Sequence, residues 1–470
     1  MADDMKKAEQ AELNEDALHF RDGAIEGRPA GVPASYARGG SPRWTPETIA
    51  DIHAKSQLGR YQMRGFSAFN KNLPSFDDLL VQPATMTRLP LEGYREQCDS
   101  KVVFGDGLGL VENPIELDIP IYVAAMSFGA LSANAKAALA RGARKAGTMT
   151  TSGEGGMLEE ERQENRTLVY QISPSRYMID LDHLRRADGI EVVVGQGAKP
   201  GTGGLLLGMK VSERVSKMRN LPQGVDQRST CRHPDFLGGD DMTIKVEELR
   251  EATNYKVPIF AKMGATRPYY DVAVAAKTGV DVIVVDGLEG GTGASPAFLL
   301  DHTGVPTISA IRAARRALDD TGMSGKVKLV VAGGIRSGVD VAKALALGAD
   351  AVMMGTGMLM ALGCNSPRYL DDYRALGTEP GACHHCHTGR CPVGITTQDP
   401  ELAARLDVEA ASERVYRFLT AMTMEASMLA KSCGKSRLSN LEPEDLRALT
   451  LEASAITGVP FIGIDKPFTW

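Results

Sequence analysis

No stretch among the 470 residues approaches the roughly 20 consecutive apolar residues that a membrane-spanning helix needs. The first residues, MADDMKKAEQAELNED, are charged and carry no apolar core, so they do not read as a secretory signal. A cytoplasmic location and no membrane partner are the resulting expectations. Basic charge is not in excess either: 53 Lys and Arg stand against 59 Asp and Glu. The net charge of −6 leaves no footprint for a nucleic-acid partner. An even, regularly spaced set of cysteines is also missing. There are seven, an odd count that argues against a disulfide framework in a chain of this size.

Glycine is abundant, with 50 residues, as a chain with many tight turns and ligand-facing loops requires. Two of its placements carry the most information. KLVVAGGIRSG (328–338) and ADAVMMGTG (349–357) are apolar runs that stop at glycine, and the first leads into the helix-like VDVAKALALG. Two consecutive strand–helix units of this kind suggest the phosphate cradle after strands 7 and 8 of a barrel. Glycine lets backbone N–H groups approach the anion, and a helix N-terminus adds a favourable dipole.

Eight strands are expected: 119–125, 147–151, 190–195, 257–263, 281–287, 305–309, 328–334 and 349–355. Most are continuous apolar runs, as buried parallel strands are, and most precede a helix-like segment. The fold class is therefore α/β, a (β/α)8 TIM barrel with an N-terminal extension, a cysteine-rich insertion and C-terminal helices. Residues 1–45 read as an arm and 46–117 as a pre-barrel segment. The barrel spans 118–360, the cysteine segment 361–400 and the C-terminal segment 401–470. The connection over 196–256 is too long for a bare loop and is expected to carry a helix at the active-site mouth. In the last segment Val415, Phe418, Leu419, Met422, Ala426 and Leu429 follow helical spacing, which reads as a core-packing stripe.

Polar residues recur at the strand ends. AAMSFGALS brings Ala125, Met126 and Ser127, TSGEGG brings Ser152 and Glu154, and GQGAKPGTGG brings Gln196 and Lys199. Lys262 and the phrase DGLEGGTGASP close the next two strands. In a barrel, side chains at these ends are the functional ones.

As a set and in this order, the methionine-serine phrase, TSGEGG, QGAKPG, GGTGASP, GGIRSG and a cysteine cluster with CHT resemble the flavin-binding domain of the glutamate synthase family. The likeness covers roughly 75–450. It implies FMN as cofactor, with Gly333, Gly334, Gly355 and Thr356 on its phosphate. Lys262 would face the N1–O2 edge of the flavin, where a cation stabilises negative charge. Gln196 would pair with the pyrimidine edge. The Ala125–Met126 backbone, with Ser127 and Ser152, would line the ring. By the same resemblance Glu154, Lys199 and Arg219 form a 2-oxoacid pocket, the two cations suiting a dicarboxylate and Glu154 the nitrogen of an amine or imine.

CHHCHTGRC holds Cys383, Cys386 and Cys391, with His384, His385 and His387 among them. From spacing alone these thiols suit an iron–sulfur cluster or zinc. The resemblance implies a [3Fe-4S] cluster. An insertion over 365–382 leaves open whether Cys364, in ALGC, or Cys383 is the first ligand. Cys98, Cys231 and Cys433 read as buried apolar thiols.

The chain has no N-terminal cysteine for a glutamine amidotransferase domain and no Gly-repeat β-helix after the barrel. Those parts are expected on separate subunits of one complex. This split resembles the N-methylglutamate synthases, as do RLPLEGYREQCDS, GGMLEEERQENRTLVYQISPSRY and KMRNLPQGVDQRSTCRHPDF. That reading takes glutamate and methylamine to N-methylglutamate and ammonia through 2-iminoglutarate. One alternative is a subunit that aminates 2-oxoglutarate reductively with ammonia. Another, of a different class, is a zinc-stabilised assembly subunit without catalysis.

Overall fold

The computed structural model describes residues 44–68, 73–177 and 179–464. Nearly all of the expected N-terminal arm lies outside them. Eight parallel strands close a barrel in chain order: β1 (Ile121–Val123), β2 (Thr150–Thr151), β3 (Leu168–Ile172), β4 (Gly189–Val193), β5 (Ile259–Gly264), β6 (Val282–Asp286), β7 (Lys328–Ala332) and β8 (Ala351–Met354). β8 returns to β1 through Val352–Ile121, Met353–Tyr122 and Met354–Val123 pairs. The expected barrel is therefore present, and the two glycine-ended strands are indeed its seventh and eighth.

One expected strand is wrong and one was missed. Residues 305–309 are not a strand. Pro306 caps a helix there, Thr307–Asp320. Its Ile308, Ile311, Ala314 and Leu318 are buried at helical spacing, and the cap proline fits a helix start rather than a buried strand. The missing strand is β3, whose five residues are all buried. It carries Gln171 in place of an unbroken apolar run. The long connection over 196–256 consequently follows the fourth strand, and it does carry helices, at Glu213–Arg219 and Gly239–Ala252.

The barrel interior is sealed from below by the pre-barrel segment. Val102–Phe104 and Ile115–Leu117 form an antiparallel hairpin. Phe104, fully buried, packs edge-on to Phe260 with ring centroids 5.6 Å apart and to Tyr122 at 6.3 Å. That aromatic plug shares one core with Val169, Val284, Val330 and Met353 from the strands. With the lower end filled, only the C-terminal strand ends remain for a ligand.

Outside the strands, helix α1 (Ala133–Lys145) packs on the C-terminal helix α7 (Val408–Ser432), with α2 (Gly239–Ala252), α3 (Pro268–Ala275), α4 (Thr307–Asp320), α5 (Gly338–Ala346) and α6 (Thr356–Leu362) completing the set used below. The α1–α7 crossing is close because Gly142 has no side chain: a Cβ there would lie 2.7 Å from Val415 Cβ. The C-terminal segment is not wholly helical. Leu446–Ala448 pairs antiparallel with Leu79–Val81, fastening the end of the chain to the pre-barrel segment. Among the described residues no helix is long and apolar enough to cross a membrane.

Candidate functional site

A cavity of 1010 Å³ opens over the C-terminal strand ends. Ala125, Met126 and Ser127 after β1, Gln196 and Lys199 after β4, and Lys262 on β5 all line it. So do Glu154, Arg219, Gly333, Gly334, Gly355 and Thr356. Ser152 is the exception among the expected residues. It is fully buried behind the wall, where its hydroxyl accepts from Gln171 N at 3.0 Å.

At the phosphate end the backbone is shaped by glycine. Gly333 and Gly334 have φ of 103° and 75°, and a Cβ on Gly333 would lie 2.8 Å from Thr307 Oγ1 and 3.0 Å from Gly287 O. Side chains are excluded there by both conformation and space. Helix α5 does not supply the expected dipole end. Its first turn is already satisfied: Ser337 Oγ accepts from Asp340 N, and Glu425 accepts from Gly338 N at 2.7 Å. The short helix α6 instead begins at Gly355 with no side-chain cap, leaving its first amides to the cavity. Arg414 of α7 holds the other end, donating to Leu362 O at 2.7 Å and Ala361 O at 3.2 Å. The Gly333–Gly334 turn and Gly355–Thr356 line the same end of the cavity.

At the cavity floor one ammonium sits among two carboxylates. Lys262 Nζ is 4.0 Å from Asp286 Oδ2, and both side chains are buried. Gln171 Nε2 donates to Glu191 Oε1 at 2.6 Å, and Gly197 N donates to Asp286 Oδ2 at 2.9 Å. Burial raises the carboxyl pKa of Glu191 and of Asp286, and the charge of Lys262 opposes that rise in each. Gln196 Nε2 donates to Thr292 Oγ1 at 3.1 Å, placing its amide at the wall formed by GGTGASP.

The second half of the cavity is an anion pocket. Lys199 and Arg219 are 6% and 3% exposed, and neither forms an ion pair among the described residues. Lys199 Nζ donates to Ala294 O at 3.1 Å. Arg219 Nη2 donates to Ser127 Oγ and Phe128 O, both at 2.9 Å, while its Nε has no partner. Burial lowers the pKa of both cations, and Glu154 partly offsets this in each. Two cations buried this deeply are costly, and one carboxylate offsets them only in part, which leaves room for a bound anion. Ser229 Oγ donates to Glu154 Oε2 at 3.0 Å, orienting that carboxylate between them.

Three contributors escaped the sequence reading. Lys136 of α1 is 2% exposed and donates to Met126 O at 2.7 Å and Ser152 O at 3.0 Å, tying two wall loops together. It pairs with the equally buried Glu161 at 2.7 Å. The signal was a lysine flanked by alanines on the inward side of ANAKAALARGARK. Lys210 donates to Ala130 O at 2.8 Å and Cys386 O at 3.0 Å, bridging the pocket and the cysteine segment. Burial pushes its pKa down to about 8 against the opposing effect of Cys386 and Cys391. Asp286 is the third. His233, by contrast, is structural: its Nε2 meets Val193 O at 2.8 Å and its ring stacks on Phe236.

The cysteine segment lies against this cavity, and Cys386 lines it. Gly65 N donates to His384 O at 3.1 Å, and the strand bearing Gly65 pairs with Thr292–Pro296. Cys364, Cys383, Cys386 and Cys391 are all free and at most partly exposed. Burial raises the thiol pKa of Cys386 to about 12, with further increments from Cys391 and Cys383. Cys364 is raised by burial and then by each of the other three. All four therefore share one neighbourhood. Among the described residues, however, no three of these thiols and imidazoles bring ligand atoms within 4.8 Å of one another. A tetrahedral zinc would hold sulfurs roughly 3.8 Å apart at its 2.3 Å bond length. Thiols are also the donors that an iron–sulfur cluster takes, one on each iron. Buried His385 Nε2 and His387 Nδ1 have no partners in the structure. Of the remaining cysteines, Cys433 is buried as expected, but Cys231 is exposed at the cavity mouth and Cys98 is half-buried.

The closed barrel and the chamber over its C-terminal strand ends define a (β/α)8 barrel protein. The chain belongs to the glutamate synthase family: the conserved region in glutamate synthase matches residues 71–436. It is 56% identical over 416 residues to a glutamate synthase large subunit-like protein of Rhizobium meliloti (strain 1021), covering 88% of this chain and 93% of that one. It is 33% identical over 415 residues to an archaeal-type glutamate synthase [NADPH] of Thermotoga sp. (strain RQ2), covering 85% and 79%. Among solved structures, a flavocytochrome b2 variant with sulfite bound aligns over 85% of this chain and 84% of its own, at 18% identity and a TM-score of 0.49. A mandelate oxidase with (S)-4-hydroxymandelic acid aligns over 81% and 91%, at 19% identity and a TM-score of 0.49.

Proposed function

We propose that this protein is the FMN-dependent subunit of an N-methylglutamate synthase, converting glutamate and methylamine to N-methylglutamate and ammonia. Family membership supports FMN, and the residues fit it: a glycine cradle for the phosphate, Gln196 for the pyrimidine edge and Lys262 for the reducible edge. Bound FMN would take a hydride from Cα of glutamate and later return one.

The chain's own residues bind and orient the amino acid. Lys199 and Arg219 each take a carboxylate, fixing both ends of glutamate so that Cα and its nitrogen have one position. Glu154, held by Ser229, accepts a proton from the substrate nitrogen and returns it to the leaving ammonia. Loss of a hydride from Cα and a proton from nitrogen, two electrons and two protons in all, takes glutamate to 2-iminoglutarate. Exchange of ammonia for methylamine and return of those electrons gives N-methylglutamate, so the cycle needs no external donor.

One observation carries the choice of amine. The phrases that resemble N-methylglutamate synthases supply the wall beside Glu154: Gln171 and Pro174 from one, Ser229, Thr230 and Cys231 from another. The second reading, reductive amination of 2-oxoglutarate, is favoured by the names of the relatives and by the cysteine site, since a closed cycle needs no electron carrier. The amidotransferase-like and Gly-repeat β-helix subunits belong to the proposed complex. The test is to supply the complete complex with glutamate and methylamine and no reductant. N-methylglutamate is the expected product. Its absence, with glutamate formed from 2-oxoglutarate, ammonia and reductant, would establish the second reading instead.

A further inference from the structure

The insertion over 365–382 separates Cys364 from Cys383 in sequence, and the fold brings its two ends back together. One side chain does this. Asn365, at a φ of 60°, donates from Nδ2 to Cys364 Sγ at 3.3 Å. Its Oδ1 accepts from Cys383 N at 3.2 Å and from Gly381 N at 2.8 Å. The inserted residues fold back over the site, burying Tyr373 to 1% exposure. Arg405 then clamps them beside Cys391, pairing with Asp372 at 3.0 Å and donating to Pro392 O at 3.0 Å. The two cysteines that looked like alternatives are therefore brought together through Asn365, in the same neighbourhood as Cys386 and Cys391. Lys210 brings a buried cation to the same place, where thiolates on a cluster would carry net negative charge.

We propose that Cys364, Cys383, Cys386 and Cys391 together hold a four-iron, four-sulfide cluster, the insertion supplying a fourth thiolate beyond the three implied by the resemblance. Each thiolate binds one iron and gives up its proton on binding. The proposal rests on the barrel being a flavoenzyme of this family, because a one-electron carrier beside the cavity is of use only where a bound flavin trades electrons with it. It concerns this chain's donor set, not the choice of amine.

The experiment is anaerobic purification of the complete protein, with iron, sulfide, zinc and FMN measured per chain alongside Mössbauer and EPR spectra. Four irons and four sulfides per chain are expected, silent in EPR as isolated and giving a signal on reduction with dithionite. Cys364→Ser and Cys383→Ser should each lose one iron and show a three-iron signal in the oxidised state. Three irons in the unaltered protein with a signal when oxidised would overturn the proposal, as would stoichiometric zinc, or iron content unchanged in either variant. The unaltered protein decides the matter even if a variant does not fold. Bleaching of the flavin by glutamate in the same samples reports on the functional reading separately: it can fail with four irons present, or persist with three.

Discussion

Lys199 and Arg219 are the residues whose chemistry most constrains the substrate, because each is a buried charge that waits for a partner. A charge-assisted hydrogen bond contributes about 1.5–3 kcal/mol. Lys199→Met should therefore raise the KM for glutamate by about 10–150-fold, measured in steady-state assays. The sign of its pH dependence follows from burial. The ammonium is the binding form, and its pKa lies below the ordinary lysine value. Glutamate affinity should then weaken as pH rises through that lowered pKa, earlier than for an exposed lysine, and the Met variant should lose this alkaline limb. Lys262→Ala should shift the two-electron potential of bound FMN by about 30–60 mV to the negative, read by equilibration with redox dyes. An unchanged potential would remove its role. These cations were readable because they stand in glycine-rich phrases at strand ends. Lys136 and Lys210 were not, since the partners of their ammonium groups, Glu161 and loop carbonyls, are assembled only by the fold.

At the scale of elements, α1 is what keeps the cavity wall in register. Its Lys136 reaches the carbonyls after β1 and β2, and Glu161 neutralises it inside the protein. Burial lowers the pKa of the lysine and raises that of the glutamate to about 7, so each charge depends on the other. Lys136→Met alone should cost about 3–5 kcal/mol in urea unfolding, because it strands a buried carboxylate. Adding Glu161→Leu should recover much of that loss. The same scale shows why most strands were legible and two segments were not. Val282–Val285 and Leu329–Ala332 are continuous apolar runs buried on both faces, and Ile259–Gly264 is broken only by Lys262. Leu168–Ile172 is five residues long with a glutamine inside it, and its pairing with β2 and β4 is a tertiary fact. Residues 305–309 looked extended, whereas Thr307 begins α4 with its hydroxyl donating to Glu289 at 2.7 Å and to Gly333 O at 3.0 Å. That threonine fastens the cradle, and nothing local announces it.

In the whole molecule, the segments flanking the barrel complete the site. The pre-barrel hairpin plugs the lower end, the strand bearing Gly65 links the cysteine segment to the GGTGASP wall, and α7 braces α1 and α6 from outside. Phe418, expected to be core packing on α7, lines the cavity as well. The arrangement leaves one large chamber with an anion cradle at one end, an anion pocket at the other and thiols at its edge. On the proposed function, glutamate and FMN meet there. Anaerobic titration of the FMN-loaded protein with glutamate, followed by absorbance, tests this most directly. The oxidised flavin band should bleach with glutamate and recover once methylamine has replaced ammonia in the imine and the imine has taken the electrons back. A fully loaded protein whose flavin band is unchanged at saturating glutamate would contradict the account.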